Sequence, residues 1–391
     1  MRYYIIAGEA SGDLHGSNLI KGLLKADPQA EIRFWGGDKM AAAAGTHGTL
    51  VKHYKEASIM GFWEVLKNLR RIGRQMRFCR EDIAACRPDV LILIDYPGFN
   101  LRMAKFARTY RWPGTTARPK VFYYIAPKVW AWKEKRVAKL RAYVDKLFII
   151  FPFEIEYFRR HGIEAFYAGN PLMDSVAGRT AAVPENAEAF RRENGLDKRP
   201  IIALVAGSRS SEIRYNLPNM VAVSRLFPEY QFVVTGVSWL DRSLYDKYLA
   251  GSDVRFVCDK TYETIAQSSA ALVTSGTATL ETALLDIPEV VCFRSSGISI
   301  RIARKLVKLR FISLVNLIMD REVVRELIQE DFNPATAAEE LRAVLPGGTE
   351  HERMMQDFRA LREAMGEPGA SERVADEMVR LLNEKINGKY I

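Results

Sequence analysis

With 391 residues, the chain is too long for one ordinary core and fits two domains of roughly 150–200 residues each. Hydrophobic residues make up 48%, enough for both cores, which excludes a disordered or fibrous chain. Fifty-seven Lys and Arg against 47 Asp and Glu give a net charge of +10. That excess favours an anionic partner (nucleic acid, phosphorylated ligand or anionic lipid) without choosing among them.

The four cysteines, Cys79, Cys86, Cys258 and Cys292, form no CxxC pair. Neither a disulfide framework nor a zinc site is expected, and reduced cytosol is the default compartment. The first residues, Arg2-Tyr3-Tyr4-Ile5-Ile6-Ala7, lack a basic leader and cleavage site, so no secretory signal is expected. No apolar run reaches the ~18–20 residues of a membrane span. Any membrane contact is therefore expected to be peripheral.

In chain order, short apolar runs at 3–7, 32–35, 90–94, 120–124, 146–150 and 164–167 read as buried strands. Helical patterns lie between them at 13–26, 60–86, 101–110 and 153–161. Gly169-Asn170-Pro171 is a turn signal, and 177–200 is polar and charged. Strands resume at 201–205, 232–235, 254–257, 271–274 and 290–293. Alternating strands and helices predict parallel sheets of βαβ units. The expected divisions are 1–175, 176–349 and a helical tail, 350–391, that braces the first domain.

In such sheets ligands sit beyond the carboxyl ends of the strands. After the first strand comes Gly8-Glu9-Ala10-Ser11-Gly12-Asp13. It is neither GxGxxG nor a Walker loop. It reads either as a ligand loop at a helix start or as a plain turn capped by Ser11 or Asp13. After 90–94 comes Asp95-Tyr96-Pro97-Gly98-Phe99-Asn100. Asp95 is placed as a general base would be, or it caps the next helix. Pro127-Lys128-Val129-Trp130-Ala131-Trp132-Lys133 interleaves rings with cations. It suits sugar, lipid or phosphate, or else the rings are core.

The second series offers Gly207-Ser208-Arg209-Ser210-Ser211-Glu212, a candidate anion site where Arg209 supplies a bidentate phosphate ligand. Thr274-Ser275-Gly276-Thr277-Ala278 opens another helix, with Glu281 one turn inside. Its amides favour negative charge, and Glu281 suits ribose hydroxyls. A capping box formed by Ser275 or Thr277 is the other reading. Asn316 in Ser313-Leu314-Val315-Asn316 offers an amide.

Taken together, GEASGD (8–13), MGFWEVL (60–66), IDYPGFN (94–100), PKVWAWKEKR (127–136), GSRSSEI (207–213), TSGTATLE (274–281) and SLVN (313–316) resemble the lipid-A-disaccharide synthases, bacterial glycosyltransferases of GT-B fold. The resemblance runs from Gly8 to about Gln329. It implies an α/β chain of GT-B type, with two Rossmann-like doubly wound domains facing across a cleft. The N-terminal domain is then expected to bind the acceptor and the second the UDP-sugar. The family transfers 2,3-diacylglucosamine from UDP to the 6-hydroxyl of 2,3-diacylglucosamine 1-phosphate.

By motif, the resemblance makes Asp95 the catalytic base of a single inverting displacement. Gly207, Ser208, Arg209, Glu212, Ser275, Gly276, Thr277, Ala278, Glu281 and Asn316 become UDP or donor residues. Glu9, Ser11, Gly12 and Asp13 become the acceptor-side loop. Neither metal nor cofactor is expected. This chain departs from the family pattern at Gly98 (often Asp), Asn170 (usually His), Ala206 and Val315 (usually Pro) and Ala126-Pro127-Lys128 (usually Ser-Pro-Ser).

Both implied substrates carry acyl chains. The stretch 60–72, with Met60, Phe62, Trp63 and Leu66 beside a basic face, reads as an interfacial helix or as one packed on its own sheet. Ile298 to Phe311 has similar character. The expected location is the cytoplasmic surface of the inner membrane. The same architecture would suit a UDP-sugar 2-epimerase or another transferase acting on a lipid-linked sugar. No nucleic-acid motif is present, and the sequence sets no oligomeric state.

Overall fold

The computed structural model describes residues 1–57, 69–115, 117–130, 134–180, 187–296 and 310–387. Two compact units emerge, Met1–Pro171 with Glu367–Ile391, and Leu172–Gly366.

The first unit holds β1 (Arg2–Ala7), β2 (Glu31–Gly36), β3 (Gly48–His53), β4 (Val90–Ile94), β5 (Lys120–Tyr124), β6 (Lys146–Ile149) and β7 (Ala165–Tyr167). They form one sheet in the order β3-β2-β1-β4-β5-β6-β7, and every pair is parallel. The continuous apolar runs follow from covering both faces. Tyr3, Ile5, Val90, Ile92 and Ile94 enter one core, while Tyr4, Ile6, Leu91 and Leu93 enter the other. Each fully buried large side chain is worth about 1.5–3 kcal/mol.

The helix Ala10–Ala26 begins three residues earlier than its sequence pattern indicates. It packs along the final helix, Ala370–Asn387, whose Val374, Ala375 and Met378 share the first core. A Cβ on Gly22 would come within 2.8 Å of Ala375 Cβ, so the two backbones cross only because Gly22 has no side chain. The other tail helix, His351–Met365, belongs to the second unit. There Asp357 meets Arg321 at 2.6 Å, and Arg362 meets Asp286 at 2.6 Å. Of the expected tail 350–391, His351–Met365 thus falls in the second unit and Ala370–Asn387 in the first.

The second unit holds β8 (Ile201–Val205), β9 (Gln231–Gly236), β10 (Arg255–Cys258), β11 (Ser268–Thr274), β12 (Glu289–Phe293) and β13 (Glu326–Ile328), in the order β10-β9-β8-β11-β12-β13. All pairs are again parallel. The edge strands β3 and β13 are absent from the sequence reading. β3 is half polar and mostly exposed or half-buried, and β13 has three residues, so neither carries a continuous apolar run.

Glu289 opens β12 with no exposed surface, and neither carboxyl oxygen has a hydrogen-bond partner. Burial pushes its carboxyl well above the ordinary glutamate range. The folded chain therefore holds the Glu289 proton to higher pH than the unfolded chain, which ionises it above pH ~4.3. Its contribution to stability falls as pH rises through that value. Glu289→Met is expected to stabilise the fold at pH 8 by about 1–3 kcal/mol, and by less at pH 4. Urea unfolding at both pH values checks this, and a gain that does not grow with pH would contradict it.

Candidate functional site

In each sheet the chain winds one way from a central strand and then reverses. The reversal falls between β1 and β4 in the first unit and between β8 and β11 in the second. At such a pair the two following connections diverge to opposite sides and leave a crevice beyond the strand ends. Ala7 pairs with Ile94, which sets Gly8-Glu9 beside Asp95. Val205 pairs with Val273, which sets Ala206-Gly207 beside Thr274-Ser275.

At the first crevice Asp95 and Tyr96 are both left-handed, with φ of 43° and 46°, and Ile125 beyond β5 has φ 60°. Such non-glycine residues cost of order 1–3 kcal/mol each. Hydrogen bonds fix the shape. Asp95 N donates to Tyr124 O at 3.2 Å, and Ile125 N donates to Phe148 O at 3.0 Å. Tyr123 Oη donates to Asp95 O at 2.5 Å. Asn100, wholly buried, sets its Nδ2 2.8 Å from Asp95 O, 3.1 Å from Ile94 O and 3.4 Å from Ile6 O. One amide thereby ties the ends of β1 and β4. Pro97 is the first residue of the helix Pro97–Thr109, which starts four residues before the sequence pattern at 101–110. The Tyr96 ring lies where a Cβ on Gly8 would sit, 2.4 Å away.

Asp95 is exposed, yet neighbouring atoms crowd its carboxyl. Loss of hydration, then the nearby Glu9 carboxylate, raises its pKa; Lys128 and Arg136 oppose the rise. Lys128 is itself lowered by desolvation, against the pull of Asp95 and Glu154. Burial pushes the wholly buried Glu154 up to about 7. Glu154 accepts from Trp130 Nε1 at 2.9 Å and from Phe151 N at 3.1 Å. Trp130 is thus anchored by its polar end, and Ala131, Trp132 and Lys133 lie outside the described residues. Asn170 Nδ2 donates to Ile150 O at 2.9 Å.

The acceptor-side loop divides. Glu9 and Ser11 are exposed, whereas Gly12 and Asp13 are buried. A Cβ on Gly12 would lie 3.2 Å from Ala7 Cβ, so Gly12 serves close helix–strand packing. Asp13 accepts from Gly37 N at 2.6 Å, Met40 N at 3.1 Å and Lys39 N at 3.1 Å. It therefore caps the helix Asp38–Ala44 rather than its own helix. Glu9 is the N-cap of Ala10–Ala26 and makes no side-chain cap bond.

At the second crevice the β8 loop is already occupied by its own acid. Glu212 Oε2 accepts from Ser208 N at 2.9 Å and Arg209 N at 3.1 Å, and Oε1 accepts from Arg209 Nη1 at 2.8 Å. A Cβ on Gly207, whose φ is 109°, would meet that carboxylate at 2.4 Å. Glu212 thus caps the helix Ser210–Ser224. The Arg209 side chain is 74% exposed, which leaves the rest of its guanidinium fork open.

The β11 loop differs. Ser275 Oγ donates to Ile312 O at 2.9 Å. The helix Thr277–Leu284 starts after Gly276 with no side-chain cap, so neither Ser275 nor Thr277 forms a capping box. Its first amides carry the positive end of the helix dipole uncapped. Glu281 Oε1 accepts from Tyr262 Oη at 2.7 Å.

The Asn316 side chain turns inward. It is wholly buried. Its Oδ1 accepts from Val323 N at 2.8 Å and Val324 N at 3.0 Å, and its Nδ2 donates to Val324 O at 2.8 Å and Glu326 Oε1 at 2.9 Å. Every donor and acceptor is spent on its own loop.

Asn100, Tyr123, Glu154 and Trp239 are not singled out in the sequence reading. Trp239 lies past β9, 69% exposed, with its indole N–H 3.2 Å from Ser208 O. Its signal is a large aromatic in a strand-exit loop, a place where the same rule applies. Met60, Phe62, Trp63 and Leu66 lie outside the described residues, as does most of the stretch from Ile298 to Phe311. Among the described residues, no helix is long and apolar enough to cross a membrane.

A family model described as lipid-A-disaccharide synthetase matches residues 3–378. A lipid-A-disaccharide synthase of Myxococcus xanthus is 38% identical over 388 residues, 97% of each chain. One from Syntrophus aciditrophicus is 36% identical over 388 residues, again 97% of each. Among solved structures, the UDP-GlcNAc 2-epimerase of Neisseria meningitidis matches with TM-score 0.66 and 11% identity, covering 97% of this chain and all of that one. A glycosyltransferase from Rickettsia africae matches with TM-score 0.57 and 11% identity, covering 97% and 98%. At these identities the structural likeness speaks to fold alone, and the fold is of GT-B type. The isomerase alternative has that likeness only, while the full-length sequence relatives are transferases.

The Asp95 carboxyl is expected to titrate above the ordinary ~3.9. Glu9→Gln should lower its pKa by removing a like charge, and Lys128→Met should raise it by removing an opposite one. Carboxyl 13C shifts followed against pH read both, and three identical titrations near pH 4 would refute this electrostatic picture.

Proposed function

The chain belongs to the lipid-A-disaccharide synthetase family, whose members are glycosyltransferases, and we propose that it joins UDP-2,3-diacylglucosamine to 2,3-diacylglucosamine 1-phosphate, releasing UDP. Lipid-A-disaccharide synthase activity requires an alcohol to be deprotonated and a diphosphate to leave. Residues 1–175 would hold the acceptor, and 176–349 the donor.

Asp95 takes the proton from the acceptor 6-hydroxyl as that oxygen attacks the anomeric carbon. The carbon–phosphate oxygen bond breaks as the new bond forms, so one displacement inverts the α-linked donor to a β product. The observation that carries this role is a carboxylate held on left-handed backbone at the β1–β4 reversal. Its raised pKa brings it nearer the value that suits a base at neutral pH. The acid limb of kcat/KM should therefore lie above that of an ordinary aspartate.

The departing UDP gathers negative charge on its phosphates. Arg209 and the uncapped amides at Gly276, Thr277 and Ala278 are the groups suited to receive it. Ser208 and Gly207 shape the neighbouring wall. Glu281, which accepts from Tyr262 Oη, is the acid we assign to the ribose hydroxyls. Peripheral attachment at the cytoplasmic surface of the inner membrane, through the apolar residues of 60–72, would deliver both acylated substrates.

Mass spectrometry of the product from the two substrates tests the overall reading; an unchanged acceptor would reject it. Asp95→Asn is expected to lower kcat by about 10²–10⁴-fold with UDP affinity retained, and near-normal turnover would remove Asp95 from the role. Arg209→Ala should weaken UDP binding about tenfold or more, the worth of a charge-assisted hydrogen bond. Calorimetry reads it, and an unaltered Kd would assign the diphosphate to other groups.

A further inference from the structure

Beside the Asp95 loop lies a cavity of about 600 Å³ whose wall includes Pro97 and Gly98. Arg80, Arg102, Lys105, Arg136 and Lys139 line it, and no aspartate or glutamate does. The cations come from three separate segments: the helix Leu69–Cys86, the helix Pro97–Thr109, and the stretch from Arg136 into the helix Val137–Tyr143. Arg102 and Lys105 stand three apart on one helix face, as do Arg136 and Lys139. Like charges at that spacing repel.

Among the described residues, Arg80, Arg102, Lys105 and Lys139 form no ion pair with a carboxylate. Arg80 lies 5.8 Å over the Phe106 ring, and Arg102 Nη1 lies 3.8 Å from Met76 Sδ. Neither contact neutralises charge. Elsewhere in this unit the chain matches its cations, as where Arg108 and Arg118 converge on Asp145. These four cations and Arg136, in a lining that includes no acid, form a site for a doubly charged anion.

We propose that this cavity binds the phosphate monoester of the acceptor sugar. The inference rests on the reading of Asp95 as base. The acceptor's reacting hydroxyl is carried through C6 on C5 and its phosphate on C1, the two carbons that flank the ring oxygen. A sugar whose hydroxyl meets Asp95 thus carries its phosphate about one ring-width away, and Gly98 begins the cavity wall three residues past Asp95. Arg136 joins the two places, since it both lines the cavity and acts electrostatically on Asp95. The site would select phosphorylated over unphosphorylated acceptors.

The test uses the full chain with two double variants, Arg102→Gln/Lys105→Gln and Arg80→Gln/Lys139→Gln. Binding of glucosamine 1-phosphate, glucosamine and UDP is measured by calorimetry, so the readout is independent of turnover. Wild type should prefer glucosamine 1-phosphate to glucosamine, and each variant should lose that preference by about tenfold or more. UDP affinity should hold. Equal binding of glucosamine 1-phosphate by wild type and variants overturns the proposal. Flotation on vesicles of anionic and of zwitterionic phospholipid separates the source of the phosphate. Variants that release anionic vesicles yet keep glucosamine 1-phosphate binding would assign the cavity to the bilayer and reject the acceptor. The same titration on Asp95→Asn keeps the two readings apart. Selective binding there with no loss of turnover refutes the base alone, and absent selectivity in an active enzyme refutes the cavity alone.

Discussion

The reversal of winding in each parallel sheet is the constraint from which the rest follows. A strand whose two neighbours are reached by connections on opposite sides has nothing to cover its carboxyl end. The backbone leaving β1, β4, β8 and β11 must clear that space within one or two residues. At β4 and β5 it does so through left-handed residues that are not glycine. At β8 it does so through Gly207. The strained exits persist because buried groups hold them, above all the Asn100 amide joining β1 to β4.

The two crevices carry opposite electrostatic designs. In the first unit, crowding and Glu9 push Asp95 toward its neutral form, while Lys128 and Arg136 restrain it. A carboxylate so balanced can hold a proton briefly and release it. In the second unit, the β11 helix start has no acceptor of its own, whereas the β8 helix start is filled by Glu212. Two adjacent helix starts therefore differ in what they offer an anion. Arg209 bridges the difference, tethered to Glu212 by one nitrogen with its remaining donors outward.

Much of this was legible in the sequence. The inner strands announce themselves by continuous apolar runs, because covering both faces leaves no polar alternation to blur them. The loops after β1, β4, β8 and β11 stand out by glycine, hydroxyl and charged residues at strand exits. What could not be read is the direction in which a polar side chain turns. Asp13 and Asn316 look like ligand residues by type, yet both turn inward to cap backbone from segments 24 and 7 residues away. Glu212 looks like part of an anion site, and its carboxylate accepts from the amides of its own loop. Asn100 and Glu154 show the converse, since partners up to 94 residues distant decide their roles. Local spacing contains none of these pairings.

Two departures from the family pattern acquire a shared physical meaning. Where the pattern often carries Asp, Gly98 stands in open space, with no atom within 4 Å of where its Cβ would be. Packing does not demand glycine there. A carboxylate at that place would project beside a cavity lined by five cations and would stand near Asp95. Where the pattern carries serine, Lys128 adds a cation that lowers the Asp95 pKa. Both changes move the local field in one direction: an acid is withheld and a base is supplied. Against them work the desolvation of Asp95 and the charge of Glu9, which push the other way. On the proposed reading, the two cations oppose the rise that desolvation and Glu9 impose on Asp95. A phosphate brought close would itself raise the Asp95 pKa by like-charge repulsion, and the surrounding cations are what limit that rise.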